Sequence, residues 1–153
     1  MHIRDRVMIK TSPEQVWSAI CDMELVPLWN EKAKDVVIVS SGAPRPGYKY
    51  RMTYVLGKNR TEVRAEIVKY EKPLRLVIRA EEKNLDALQT TERWFEEVYI
   101  LTKKHNGTLL EQKITVHNSG INIFFRCVIW LLMKFGKPTA KKTLEELRDL
   151  IET

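Results

Sequence analysis

The chain changes its hydrophobic period twice, and those changes divide it into elements. Residues 2–10 alternate, with Ile3, Val7 and Ile9 on one face, and predict a first strand. Ser12-Pro13-Glu14-Gln15 predicts a helix start. Ser12 serves as the N-cap, Pro13 sits in the first turn where its missing donor is not needed, and Gln15 completes a capping box. Val16, Ala19 and Ile20 follow at helical spacing, and a second short helix is expected over 24–32 with Leu28 and Trp29 facing inward. The period then falls to two. Strands are predicted over 36–40, 48–56, 61–70, 74–81, 92–104 and 108–117, with Asn106-Gly107 as a type I′ hairpin turn between the last two. Near the C-terminus the helical period returns, placing Leu144, Leu147, Leu150 and Ile151 on one face. Gly136 and Pro138 predict a kink at 134–138 in the helix or a junction between two.

Strand, two short helices, six strands and a long helix make an α+β order. It predicts a curved antiparallel sheet wrapped around the C-terminal helix, a helix-grip fold. At 153 residues the chain is expected to form a single domain over 1–153, large enough to bury a core without disulfides or metal.

Charge and cysteine content narrow the picture. Lys and Arg total 26 against 20 Asp and Glu, a net charge of +6. The basic residues are interleaved with acidic ones, as Arg64 is with Glu62 and Glu66, so they read as a solvated face. No helix carries an Arg/Lys run with base-reading spacing, and no nucleic-acid partner is expected. Cys21 and Cys127 are isolated and the N-terminal residues lack an apolar export segment, which together point to the cytoplasm. From Ile121 to Phe135, twelve of fifteen residues are apolar, interrupted by Asn122, Arg126 and Lys134. A membrane span needs about 20, so this segment reads as a buried or interfacial helix.

At this point the chain resembles the START/Bet v 1-like superfamily (SRPBCC), and within it the bacterial polyketide cyclase/dehydrase-like branch. The resemblance covers nearly the whole chain. It rests on Ser12-Pro13-Glu14-Gln15-Val16-Trp17, on Pro27-Leu28-Trp29, on Gly47 opening the third strand, and on residues 68–76 between the fourth and fifth strands. It implies the helix-grip fold and a cavity for a hydrophobic molecule between sheet and final helix. Members include lipid carriers, cyclases or aromatases, and chaperone activators.

The residues suggest where such a ligand would sit. Tyr48, Tyr50, Met52 and Tyr54 share one face of a strand and offer aromatic walls with hydroxyls. Trp29 joins them from the second helix, and Ile67 and Ile78 from the neighbouring strands. Over 92–104 two registers stay open: Trp94, Glu96 and Val98 inward, or Phe95, Tyr99 and Leu101 inward. We take the first for the candidate site. Whichever of Glu96, Arg51 or Gln112 points inward becomes the polar anchor, because a buried charge needs a partner. From the apolar helix, Phe124, Val128, Leu131, Leu132 and Phe135 are expected to line or lid the cavity; the plainer alternative is a packed core or a subunit interface.

Catalytic signals are poor. His2, His105 and His117 lack metal-ligand spacing, no nucleophile elbow or phosphate loop occurs, and Glu96-Glu97 straddles two faces of a strand. No catalytic residue, metal or cofactor is therefore expected. Binding or carriage of a hydrophobic or amphipathic small molecule, lipid-like or polycyclic, is preferred to catalysis. The alternatives are a cyclase- or aromatase-like enzyme and a protein-binding module resembling the chaperone activators. Arg126, Lys134, Lys137, Lys141 and Lys142 around the apolar helix suggest peripheral contact with an anionic membrane. The state expected is a monomer or homodimer.

Overall fold

The computed structural model describes residues 2–56, 58–84, 93–117 and 143–153. Strand β1 (His2–Ile9) is followed by α1 (Pro13–Cys21), a 3-10 turn (Met23–Leu25) and the short α2 (Val26–Trp29). Six strands come next: β2 (Ala33–Ile38), β3 (Lys49–Leu56), β4 (Asn59–Glu71), β5 (Arg75–Asn84), β6 (Arg93–Lys104) and β7 (Gly107–His117). The last described element is α3 (Thr143–Glu152). All strands join one antiparallel sheet in the order β1-β7-β6-β5-β4-β3-β2. This is the expected α+β grip.

Local chemistry explains the elements. Ser12 caps α1, its hydroxyl accepting from the Gln15 N–H at 3.3 Å. The other half of the capping box is not made, because Gln15 Oε1 accepts from the Thr11 hydroxyl instead. A bulge in β4 between Ile67 and Lys69 places Val68 outward. Ile67 and Tyr70, three residues apart, can then both face the concave side, and the added bend helps the sheet to curl. The predicted second helix is shorter than 24–32: it is a 3-10 turn and one α-turn, and Ala33 already starts β2.

The β6–β7 turn also differs from expectation. Lys104 pairs with Gly107, so His105 and Asn106 make the turn, and Asn106 has no left-handed backbone. Gly107 (φ +146°) is needed for another reason: a Cβ there would lie 2.1 Å from the Ile9 carbonyl oxygen where β1 passes.

The core lies between the concave face, α1, α2 and α3. Leu144 and Leu147 of α3 are fully buried, and Leu150 and Ile151 pack against the same cluster. The helix contacts β1, α1 and α2, and Glu152 Oε1 accepts from the Lys10 N–H at 2.8 Å. The predicted kink at 134–138 lies outside the described residues.

Candidate functional site

Strand alternation assembles the interior. Across the sheet, Tyr50, Ala65, Ala80, Phe95 and Val116 form one row of register partners. Two adjacent buried alanines stand between the aromatic rings in the middle of this row. The next rows bring in Ile67, Ile78, Glu97 and Ile114, then Leu76, Tyr99 and Gln112.

Glu97 is the unusual member. The Tyr99 hydroxyl donates to Glu97 Oε1, and Gln112 Nε2 donates both to that oxygen and to the Tyr99 hydroxyl, the latter at 3.1 Å. Burial raises the Glu97 pKa, and the two hydrogen bonds oppose that rise only in part. Burial, followed by the Glu97 charge, also pushes the Tyr50, Tyr54 and Tyr99 phenols up. Glu97 lies inside the protein yet keeps some accessible surface, and it borders a small cavity of about 30 Å³. That is room for one or two waters.

The same cavity is bordered by Trp29, Asn30, Tyr50, Met52, Tyr54, Ile78 and Tyr99. Asn30 Nδ2 approaches the Tyr54 hydroxyl at 3.5 Å. Trp29 is 5% exposed, and its indole N–H is a buried donor with no partner among the described residues. Such a group costs about 1–3 kcal/mol unless something accepts from it.

A second, more open cleft of about 380 Å³ lies between α1 and the β4–β5 turn. Trp17 Nε1 donates to the Tyr70 hydroxyl there at 3.1 Å, and the rings meet edge-on at 5.0 Å. Burial pushes the Cys21 thiol up to about 12, against the opposing effects of its hydrogen bond with Tyr70 and the Lys72 charge. Met23 borders both this cleft and the interior cavity. No cluster of three metal-ligating side chains occurs among the described residues, and no described helix is long and apolar enough to cross a membrane.

Comparison with known proteins fixes the family. The model of the family described as polyketide cyclase/dehydrase and lipid transport matches residues 1–152. The chain belongs to this family. Its fold recurs in a conserved protein from Geobacillus kaustophilus (TM-score 0.71, 15% identity, 99% of this chain and 95% of that one covered). It recurs in a Chromobacterium violaceum protein (0.67, 17%, 99% and 97%) and in Ara h 8.0201 (0.65, 11%, 99% and 97%). At these identities the likeness shows the fold, which is that of the START/Bet v 1-like superfamily. No curated protein matches the chain.

Within this family member, the structure sorts the candidate residues by place. Trp29, Tyr50, Met52, Tyr54 and Ile78 meet at the interior cavity. Tyr48 borders the α1 cleft, and Ile67 is fully buried in the core. Trp94, Glu96 and Val98 are a correction: they lie on the convex face, in the register opposite to the one taken. Trp94 is 38% exposed and stacks on His117 with ring centroids 3.9 Å apart, under the Arg79 guanidinium. Glu96 pairs with Arg79 at 3.9 Å. Their strand neighbours Phe95, Glu97 and Tyr99 face inward instead, because Leu101 pairs with the fully buried Leu110. Of the three candidate anchors, Gln112 is inward, whereas Arg51 and Glu96 are outward. Phe124, Val128, Leu131, Leu132 and Phe135, like the basic residues at 126 and 134–142, lie outside the described residues. Sequence reasoning missed Glu97 as a site residue and left Tyr99 to the register not taken; the alternation of β7, discussed below, carried the signal for both.

Proposed function

We propose that the protein binds or carries a hydrophobic or amphipathic small molecule, lipid-like or polycyclic, between the concave face of the sheet and the C-terminal helix. The whole chain acts as one domain. Apolar surface removed from water contributes about 25 cal/mol per Å² to holding the ligand. The observation that carries this reading is the Glu97–Tyr99–Gln112 cluster. It is a hydrogen-bonded polar group set into an aromatic interior and bordering a cavity, beside a tryptophan N–H with no partner among the described residues. Few polar groups among apolar walls is the usual composition of a small-molecule site.

Native mass spectrometry on protein purified without detergent, followed by organic extraction, tests it. A discrete extra mass that is released on denaturation and recovered in the organic phase is expected. A clean mass near 18.0 kDa, together with no uptake of apolar probes added afterwards, would overturn the reading.

A second reading, a cyclase-like enzyme, is supported by the raised Glu97 carboxyl among three tyrosines. A buried carboxyl with a raised pKa is suited to giving a proton to a bound ketone. Turnover of the extracted compound, lost in Glu97→Gln with binding kept, would favour it over carriage.

A further inference from the structure

We propose that the convex face carries a separate site for a soluble organic phosphate monoester, its phosphate gripped between Arg51 and Arg64. The site uses outward side chains of β3, β4 and β5, so it stands or falls independently of the interior reading above.

The order of charges across the sheet singles it out. One row of register partners alternates in sign: Lys49, Glu66, Arg79, Glu96. The next row runs Val37, Arg51, Arg64, Glu81 and sets two guanidinium groups side by side. Like charges directly opposite on neighbouring strands repel. Arg64 donates to Glu62 through Nε at 3.2 Å, which leaves its terminal nitrogens to other acceptors. Arg51 is exposed and has no ion-pair partner among the described residues. An anion between the two guanidinium groups would replace that repulsion with charge-assisted hydrogen bonds.

Shape adds to charge. These rows border an outer groove of about 420 Å³, with Lys49, Arg51, Arg64 and Arg79 set against Glu66 and Glu81. Glu66 lies between Lys49 and Arg79, and Glu81 lies opposite Arg64, so the excess positive charge falls at Arg51. Arg79 is already engaged by Glu96 and the Trp94 ring. A guanidinium fork matches a carboxylate or a phosphate. Two forks with a lysine nearby match the doubly charged, three-oxygen phosphate better than a single carboxylate. Val39, 62% exposed, borders the same groove, and Val37, 43% exposed, is the register partner of Arg51. That apolar shoulder fits the organic body of an ester, which inorganic phosphate lacks. The site is a groove between side chains of β3 and β5, not a flat patch, which favours a soluble monoester over the headgroups of a bilayer.

An amide-resolved NMR titration at low salt and about pH 7.5, where the monoester is mostly a dianion, tests this with butyl phosphate, pentanoate and inorganic phosphate. Butyl phosphate should shift the amides of residues 49–51, 64–66 and 79–81. It should bind about 10-fold tighter than pentanoate and about 3-fold tighter than inorganic phosphate. Arg51→Gln should lower its affinity about 10-fold. Arg51→Lys, which keeps the charge without the fork, should lower it about 3-fold. Arg4→Gln removes the same charge from β1 on the same face, away from the groove, and should stay within about twofold. Equal losses in Arg4→Gln and Arg51→Gln would reduce the effect to net charge and overturn the site. Pentanoate binding as tightly as butyl phosphate, or groove amides unmoved at millimolar probe, would do the same. Binding to phosphatidate vesicles that is lost in Arg51→Gln, without binding of butyl phosphate, would overturn it in favour of a membrane surface. None of these outcomes touches the interior reading, which the mass measurement decides.

Discussion

Glu96 and Glu97 are adjacent in β6 and live in different solvents. On the convex face Glu96 meets Arg79 at 3.9 Å with its side chain 36% accessible. Such an exposed pair contributes about 0–1 kcal/mol. On the concave face Glu97 sits among aromatic side chains, held by hydrogen bonds from Tyr99 and Gln112, and burial raises its pKa against them. The two tryptophans repeat the contrast. Trp94 stacks on His117 at the rim of the outer face, whereas Trp29 is buried with its N–H unanswered. Residue type does not set the role here. The face does, and polar groups retained on the wrong side of an apolar wall mark where a ligand would be read.

The contrast is sharpest where burial is complete. Leu76 is fully buried on the concave side, and Leu74, two residues earlier in the β4–β5 turn, is 58% exposed. Leu76→Ala should cost about 2–5 kcal/mol in urea unfolding, and Leu74→Ala less than about 0.5 kcal/mol. Equal costs would mean that the concave face is not packed as described. The glutamates come next. Glu97→Ala strands the Tyr99 and Gln112 donors and should cost about 1–3 kcal/mol, with Glu96→Ala below about 1 kcal/mol. Glu97→Gln keeps an acceptor oxygen and should restore most of the loss. If Glu97→Ala proves neutral, the cluster is not holding the wall together.

Glu97 also gives the concave face a pH dependence. Its folded pKa is raised above the ordinary glutamate value. Between the two values the folded state holds a proton that the unfolded state has released, so unfolding releases protons and stability falls as pH rises. The contribution is whole below the unfolded pKa and is lost through the folded one. Urea midpoints should therefore drift downward from about pH 4 toward neutrality, and Glu97→Gln should flatten that drift. An unchanged slope in the variant would place the titration elsewhere.

The strands were legible because half-buried sheets alternate, and Tyr50, Met52 and Tyr54 declared their face without help. The face of β6 was not legible from β6 alone. Trp94, Glu96, Val98 and Phe95, Glu97, Tyr99 each offer an aromatic, a carboxylate and a third residue suited to an interior. Its partner could have settled the matter. In β7 three of the four apolar positions, Leu110, Ile114 and Val116, are even and only Leu109 is odd, and a two-residue hairpin pairs even residues of β7 with odd ones of β6. The turn expected at Asn106-Gly107 would have slid the pairing by two residues without changing that parity. Glycine there signalled a neighbour, the Ile9 carbonyl, and a one-dimensional pattern does not show neighbours. The Glu97 cluster was hidden for the same reason, since its three members come from two strands and resemble ordinary polar residues until the register joins them.

The smallest expected effect lies on the convex face and tests whether Trp94 is only a surface ornament of the sheet. Trp94 and His117 are register partners with rings 10° from parallel, and the Arg79 carbon lies 5.2 Å from the Trp94 ring centre. Aromatic pairs and exposed cation–π contacts are each worth about 0.5–1 kcal/mol. A double-mutant cycle of Trp94→Ala with His117→Ala should give a coupling near 0.5 kcal/mol, and one with Arg79→Met a similar or smaller value. None of the three variants should change the uptake of an apolar probe, because all three side chains stand on the far side of the sheet from Trp29 and Glu97. A loss of apolar-probe uptake in Trp94→Ala with stability unchanged would break the division between the faces and return Trp94 to the ligand site.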